Sequence, residues 1–294
     1  MFGKNEIVGQ KYFKEAKDNE LFVTSMFMTL QGEGIFAGRP AFFIRLAKCN
    51  LACSFCDTFF DDGDWMTFDQ IEDGIESAIS QFYEYKGIAR PNWTHHDTQT
   101  GSVKRMVLVV TGGEPTLQAN LGPFLDKMNN IFDNTQIESN GIVFQQTLPH
   151  DTVKVISPKV LEKNGKELKY IQPKSDVLES ADCLKFVMSA DPDSTYSSIP
   201  GWAQEWAQDT GRPVFISPMN IYNDVPAKSK ELRNDGKNRV ELVERSRVDE
   251  VVEFWEDGLL NMKENEKNHK YAAQYCMEHG YCLNLQIHLY AGLA

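Results

Sequence analysis

Cys49, Cys53 and Cys56 fall within eight residues, in the run CNLACSFC, at the spacing C-x3-C-x2-C. Thiolates bind iron strongly and hold iron–sulfur clusters. Three of them serve three irons of a four-iron cluster and leave the fourth open to a small molecule. Any fold for this chain must therefore deliver three thiols on one short loop. Zinc normally takes four protein ligands, often as two C-x2-C pairs. Only one such pair is present, and Cys183, Cys276 and Cys282 are scattered. The opening MFGKNEIVGQKYFKEAK is charged and mixed and does not read as a signal peptide, so disulfides are not expected and a reducing, cytoplasmic setting is. Zinc and inert buried thiols stay as the alternatives to a cluster.

The 294 residues are 41% hydrophobic and 24% charged, an ordinary globular composition. No stretch approaches the roughly 18 apolar residues of a membrane span, so no membrane partner is expected. The net charge of −12 argues against broad nucleic-acid binding.

Periodicity organises the chain. Residues 22–29 and 40–47 read as strands joined by the glycine-rich run from Gly32 to Pro40. The cysteine run follows the second strand directly, on the loop at its carboxyl end. A helix is expected over 67–84, with Thr67 as N-cap and Gln70 completing a capping box. Met106–Val110 is a buried strand that runs into Thr111-Gly112-Gly113-Glu114-Pro115, with a helix expected from about 117 to 132. Short strands follow at 135–138, 153–156, 184–188 and 213–216. This alternation predicts an α/β fold, a parallel sheet or partial (β/α) barrel, with its chemistry at the strands' carboxyl ends. One domain over 1–294 is expected. Two polar stretches, 86–104 and 224–248, read as inserted surface segments, and His95-His96 in the first as a solvated pair.

The cysteine spacing resembles that of radical S-adenosylmethionine (SAM) enzymes, and TGGEP at 111–115 resembles the motif that receives the methionine amino group in them. Glycines at 112 and 113 let backbone carbonyls approach an ammonium, and Glu114 complements its charge. The run LQGEG at 30–34, with AGRPAFFIRLAKCNLAC at 37–53, narrows the resemblance to the 7-carboxy-7-deazaguanine synthase family. The resemblance implies a partial barrel of radical SAM type, a 4Fe-4S cluster on Cys49, Cys53 and Cys56, SAM on the open iron, and 6-carboxy-5,6,7,8-tetrahydropterin as substrate. The pterin ring contracts with loss of ammonia.

Residue by residue, the resemblance assigns Leu30, Gln31, Gly32, Glu33, Arg45, Thr111, His288 and the terminal Ala294 to the pterin. Ser54, Phe55, Cys56, Gly112, Gly113, Glu114, Glu138, Ser157, Pro158, Lys159, Ser217 and Met219 are assigned to SAM. An amide and a carboxylate suit a pterin edge, and an arginine fork suits a substrate carboxylate. Arg45 lies inside the apolar run PAFFIRLA, which makes a site-facing guanidinium more natural than a surface ion pair. The ESNG run at 138–141 resembles the family's ETNG turn, Ser157-Pro158-Lys159 its SPK motif, and LQIHLYAGLA its terminal segment. Ser217 departs from the glutamine usual at its position. Thr58 is assigned to a magnesium ion, which takes oxygen ligands; a turn hydroxyl is the alternative. A flavodoxin-like electron donor and a homodimer are also implied. A glycyl-radical-enzyme activase shares the cluster spacing, but it would leave Gln31, Glu33 and the QIHLY run without a role. A non-enzymatic iron–sulfur or zinc protein would leave TGGEP and SPK without one.

Overall fold

Near-continuous apolar runs rich in β-branched and aromatic residues, buried on both faces, build the central strands of one large sheet. The computed structural model describes residues 7–13, 16–56, 58, 60–96, 104–144, 147–163, 166–221, 261–291 and 293. The strands are β1 (Glu20–Leu30), β2 (Pro40–Leu46), β3 (Asp64–Thr67), β4 (Lys104–Gly112), β5 (Phe132–Ser139), β6 (Val153–Ile156), β7 (Val160–Lys163), β8 (Lys166–Tyr170), β9 (Cys183–Met188), β10 (Val214–Pro218) and β11 (Cys282–Leu283). The helices are α1 (Phe68–Tyr85), α2 (Leu121–Met128), α3 (Ser175–Ser180), α4 (Gly201–Thr210), α5 (Met262–His279) and α6 (Ile287–Tyr290). The main sheet has the order β11-β10-β9-β6-β5-β4-β2-β1-β3, and β7 and β8 form a separate hairpin. From β2 to β11 every neighbouring pair is parallel, whereas β1 runs antiparallel to both β2 and β3.

The period of two sorts the strands' side chains onto two faces. Phe42, Ile44, Leu46, Met106, Leu108 and Val110 pack under α1 and α2, against Ile71, Ile75, Ile79 and Phe124. Leu184, Phe186, Val214 and Ile216 do the same under α4 and α5. Each fully buried isoleucine of α1 contributes about 2–3 kcal/mol. Thr67 and Gln70 form the expected capping box, with Gln70 N–H donating to Thr67 Oγ1 at 3.2 Å and Thr67 N–H to Gln70 Oε1 at 2.8 Å. The other face begins as an apolar belt of Ala41, Phe43, Val107 and Val109. Further along the strands it turns polar with Arg45, Thr111, Gln136, Glu138 and Lys185.

That second face is concave. Asn284, just past β11, accepts from the backbone N–H of Gly34 at 2.6 Å. Seven strand spacings separate β11 from β1 in the order, about 34 Å in a flat sheet at ~4.8 Å each. The four residues from Leu30 to Gly34 reach roughly 14 Å at most. The sheet must therefore curl, and the loop after β1 spans the gap: an open, partial barrel.

Two details differ from the sequence reading. The expected helix over 117–132 resolves into a 3-10 turn at Pro115–Leu117, the two-turn α2, and an early start to β5. Asn129 and Asn130, weak helix formers, follow the last turn. The β7–β8 hairpin lies where no strand was expected, because its alternating lysines and glutamates carry no apolar period. The run 86–104, expected as an inserted surface segment, is anchored at its described ends. Arg90 binds Glu76 of α1 at 2.6 Å and the Thr94 carbonyl at 3.0 Å, and buried Lys104 reaches Glu76 at 2.5 Å. The expected insertion at 224–248 lies outside the described residues.

Candidate active site

Five parallel strands deliver their carboxyl ends to one rim. β2 leads into the cysteine loop, β4 into Gly113-Glu114, β5 into Asn140-Gly141, β6 into Ser157-Pro158-Lys159 and β10 into Met219. LQGEG is the exception to the expected placement. Because β1 is antiparallel, its carboxyl end starts from the opposite rim and Gln31 and Glu33 enter the concave face from there.

The cysteine loop is tied down on several sides. Gly113 N–H donates to the Leu46 carbonyl at 2.9 Å and Glu114 N–H to the Lys48 carbonyl at 2.8 Å. A Cβ on Gly113 would collide with the Lys48 carbonyl, so a second backbone must pass where a side chain would sit. Asn140 Nδ2 donates to Asn50 Oδ1 at 2.7 Å, and Ser54 N–H to Glu162 of the hairpin at 3.1 Å. Phe55 packs edge-on against Tyr196 at 5.0 Å, in an apolar cluster with Val160 and Met219.

The cysteines are all free thiols. Burial, then the Glu114 carboxylate, then the other two thiols push Cys49 up to about 12. Burial also raises Cys53, opposed by the Lys159 ammonium. Among the described residues no three His, Cys, Asp or Glu side chains already surround one metal-sized point. The donor chemistry nevertheless fits a thiolate-held cluster. Three reduced cysteines share one loop and one electrostatic environment, with the Lys159 cation near Cys53 and Cys56 to favour their thiolates.

Glu114 is fully buried, and its carboxylate is engaged from within. Oε1 accepts from Thr116 N–H at 3.0 Å and Ser139 Oγ at 2.8 Å, and Oε2 from Asn140 N–H at 2.7 Å. Burial still leaves its pKa above the ordinary carboxylate range. It clamps the ESNG turn to the end of β4. Lys159 Nζ donates to the Ser157 carbonyl at 2.9 Å and to Ser157 Oγ at 2.5 Å. Ser217 Oγ accepts from Asn284 Nδ2 at 2.7 Å.

The residues assigned to the pterin converge on the concave face. Arg45 lies opposite Thr111 in the β2–β4 register. Its guanidinium covers the Phe27 ring at 5.3 Å and donates to Thr58 Oγ1 at 3.2 Å. The buried Nε of Arg45 has no hydrogen-bond partner among the described residues. Gln31 Nε2 donates to Glu138 Oε1 at 3.3 Å. Lys185 Nζ meets Glu33 Oε2 at 2.7 Å and Glu138 Oε2 at 2.9 Å. Burial works against both carboxylate and ammonium, but their pairing overrides it, leaving Glu138 below and Lys185 above their ordinary values. Glu138 thus joins the Gln31–Glu33 group as well as the rim. The ring of His288 packs on Gly32, where a Cβ would strike it, and Ile287 N–H donates to the Gly32 carbonyl at 3.4 Å. Leu30 ends β1 beside this group, and Ala294 lies outside the described residues. The sequence reading missed Lys185, although a lone cation in the apolar run LKFVM is the same signal that marked Arg45.

A curved parallel sheet with three free thiols after its leading parallel strand, and a Gly-Gly-Glu turn zipped onto that loop, defines a radical SAM enzyme. The chain is 35% identical over 220 residues to a 7-carboxy-7-deazaguanine synthase of Rickettsia prowazekii, covering 75% of this chain and 81% of that one. A synthase of the same description from Escherichia coli K12 is 32% identical over 207 residues, covering 69% and 86%. The chain belongs to the 7-carboxy-7-deazaguanine synthase family. No family model matches it. The crystal structure of QueE from Escherichia coli aligns with a TM-score of 0.47 at 18% identity, covering 95% of this chain and 99% of that one.

Proposed function

We infer that the protein makes 7-carboxy-7-deazaguanine from 6-carboxy-5,6,7,8-tetrahydropterin, with loss of ammonia. The observation that carries this reading is the convergence of Gln31, Glu33, Glu138 and Arg45 on one concave face below the thiol loop. An amide and two carboxylates suit the hydrogen-bonding edge of a pterin, and a guanidinium with an uncommitted Nε suits the substrate's carboxylate. The glycyl-radical activase alternative gives these groups no task.

Cys49, Cys53 and Cys56 would hold a 4Fe-4S cluster, with SAM against Ser54, Phe55, Gly112, Gly113, Ser157, Pro158, Lys159, Ser217 and Met219. Bound together, cluster and SAM supply the one-electron chemistry that yields a hydrogen-abstracting carbon radical. The chain's own residues do the rest. Arg45 fixes the substrate carboxylate, and Gln31 and Glu33 fix the pyrimidine edge. His288 and Thr111 flank it, and the apolar belt below keeps water from the reacting carbon. Thr58, whose hydroxyl lies beside Arg45, offers one oxygen to a magnesium ion that the substrate would help coordinate. Glu114 acts by holding the rim's turns in place.

No helix among the described residues is long and apolar enough to cross a membrane. A cytoplasmic location, a flavodoxin-like electron donor, a homodimer and one domain over 1–294 complete the proposal.

Anaerobic reconstitution with iron and sulfide, followed by SAM, dithionite, magnesium and carboxytetrahydropterin, tests it by mass spectrometry. Carboxydeazaguanine is expected, and absent in Cys53→Ala. Formation of 5′-deoxyadenosine without any deazapurine would overturn the substrate assignment.

A further inference from the structure

Lys185 sits between two carboxylates that arrive from opposite ends of the fold. Glu33 comes from the loop after antiparallel β1, and Glu138 from the carboxyl end of parallel β5. An ammonium carries three N–H donors. Two are committed, to Glu33 at 2.7 Å and Glu138 at 2.9 Å, and the third has no acceptor among the described residues. The lysine side chain is 9% exposed and each carboxylate 14%, so the three charges line a nearly dry recess rather than a sealed core. Charge-assisted hydrogen bonds are strong in such surroundings.

Given the function proposed above, the ligand has a 2-amino-4-oxo pyrimidine edge. In order, that edge offers an oxygen acceptor, a ring N–H donor and an amino donor. The complement along that edge is a donor followed by two acceptors, which an ammonium and the two oxygens of one adjoining carboxylate supply in that order. We infer that Lys185 is a specificity-determining, substrate-binding residue. Its third N–H donates to the 4-oxo oxygen, the two oxygens of the adjoining Glu33 carboxylate accept from the ring N–H and the amino group, and Glu138 holds the ammonium in place from the other side. Glu138 is suited to that anchoring role, since three of a carboxylate's roughly four lone-pair sites are taken, by Gln31, Gln136 and Lys185. A 4-amino analogue would turn N–H toward N–H at Lys185 and leave a buried ammonium proton unsatisfied, and, lacking the ring N–H, it would also set an acceptor nitrogen against the carboxylate.

The test is equilibrium binding to the reconstituted, SAM-loaded enzyme, followed by pterin fluorescence without turnover. The probes are 6-carboxypterin and its 4-amino counterpart. Wild type is expected to prefer the 4-oxo ligand by on the order of 100-fold or more, as sites built to pair a polar group reject its mismatch. K185M should lose at least about tenfold in 4-oxo affinity, with the preference falling by a similar factor to what the ring-nitrogen mismatch alone supplies. K185Q keeps a polar side chain of similar length without the cation, and carries the same expectation if K185M does not fold. A lysine that only stabilises the barrel would lower the melting temperature of these variants without moving the ratio, and that result overturns the inference. So does a wild type that binds both ligands alike. Failure of the functional reading looks different: wild type then binds neither pterin and forms no deazapurine from the tetrahydro substrate.

Discussion

Replacing Glu114 by alanine removes an acceptor that three buried donors share: Thr116 N–H, Ser139 Oγ–H and Asn140 N–H, at 3.0, 2.8 and 2.7 Å. The Thr116 hydroxyl also lies against Glu114, but it has the Val143 carbonyl as a second acceptor, so it is left out of the sum. Each stranded donor costs about 1 kcal/mol or slightly more, for a total of about 3–4 kcal/mol. A chain of 294 residues unfolds with roughly 0.6 kcal/mol per degree of entropy, so the melting temperature should fall by roughly 5–7 °C. Glutamine keeps one acceptor oxygen but turns an amino group toward a donor, so Glu114→Gln should lose about half as much. The assay is thermal unfolding of the metal-free protein under reducing conditions, where no SAM is present to be bound. If both variants melt within about 1 °C of wild type, the clamp does not operate, and Glu114 is free to act on SAM alone.

Other expectations follow from the site. Arg45→Ala should raise the KM for the pterin by on the order of 100-fold while uncoupled SAM cleavage persists, and Arg45→Lys should not restore it, because an ammonium lacks the fork; unchanged KM removes Arg45 from the site. Cys53→Ala should cut iron retained after reconstitution and the visible absorbance of the cluster, and full iron content would dissociate this thiol from it. The ion triad sets a pH window. Glu138 titrates below its ordinary 4.5, so its contribution is complete above that pH and is lost as pH falls through the depressed value. Lys185 titrates above its ordinary 10.5, so its contribution is complete below that pH and is lost as pH rises through the raised value. The triad should therefore add no pH dependence to the wild-type urea midpoint between those limits, whereas in K185M the carboxylates left without their cation should titrate at higher pH and add one; a K185M midpoint that runs parallel to wild type as pH falls toward the acid limit would refute the pairing.

The thiol loop, the capped α1 and the parallel strands were legible because each depends on local pattern: a spacing, a capping box, a period of two. Arg45 was legible because a cation inside PAFFIRLA has no apolar role. Lys185 stood in the same context, but the reason for it lies 152 residues away at Glu33 and 47 away at Glu138, beyond any local pattern. The β7–β8 hairpin was hidden for a related reason. Glu162 and Glu167 lie directly opposite each other, an unfavourable pair in isolation. They are offset by donors from Ser54, Tyr196, Ser194 and Thr195, brought from other parts of the chain.

The bond from Gly34 to Asn284 spans 250 positions of sequence. During synthesis, α1, α2 and the first parallel strands can bury their shared apolar face long before residue 284 is made. The recess cannot close until it is. Joining ends so far apart costs only about 2 kcal/mol more than closing a loop one-tenth as long, so the penalty is a matter of timing more than of stability. The protein should pass through a stage in which its scaffold is built and its pocket is still open. In that interval Glu33 waits on a loop that nothing beyond β11 has yet fastened, and the polar face stays wet.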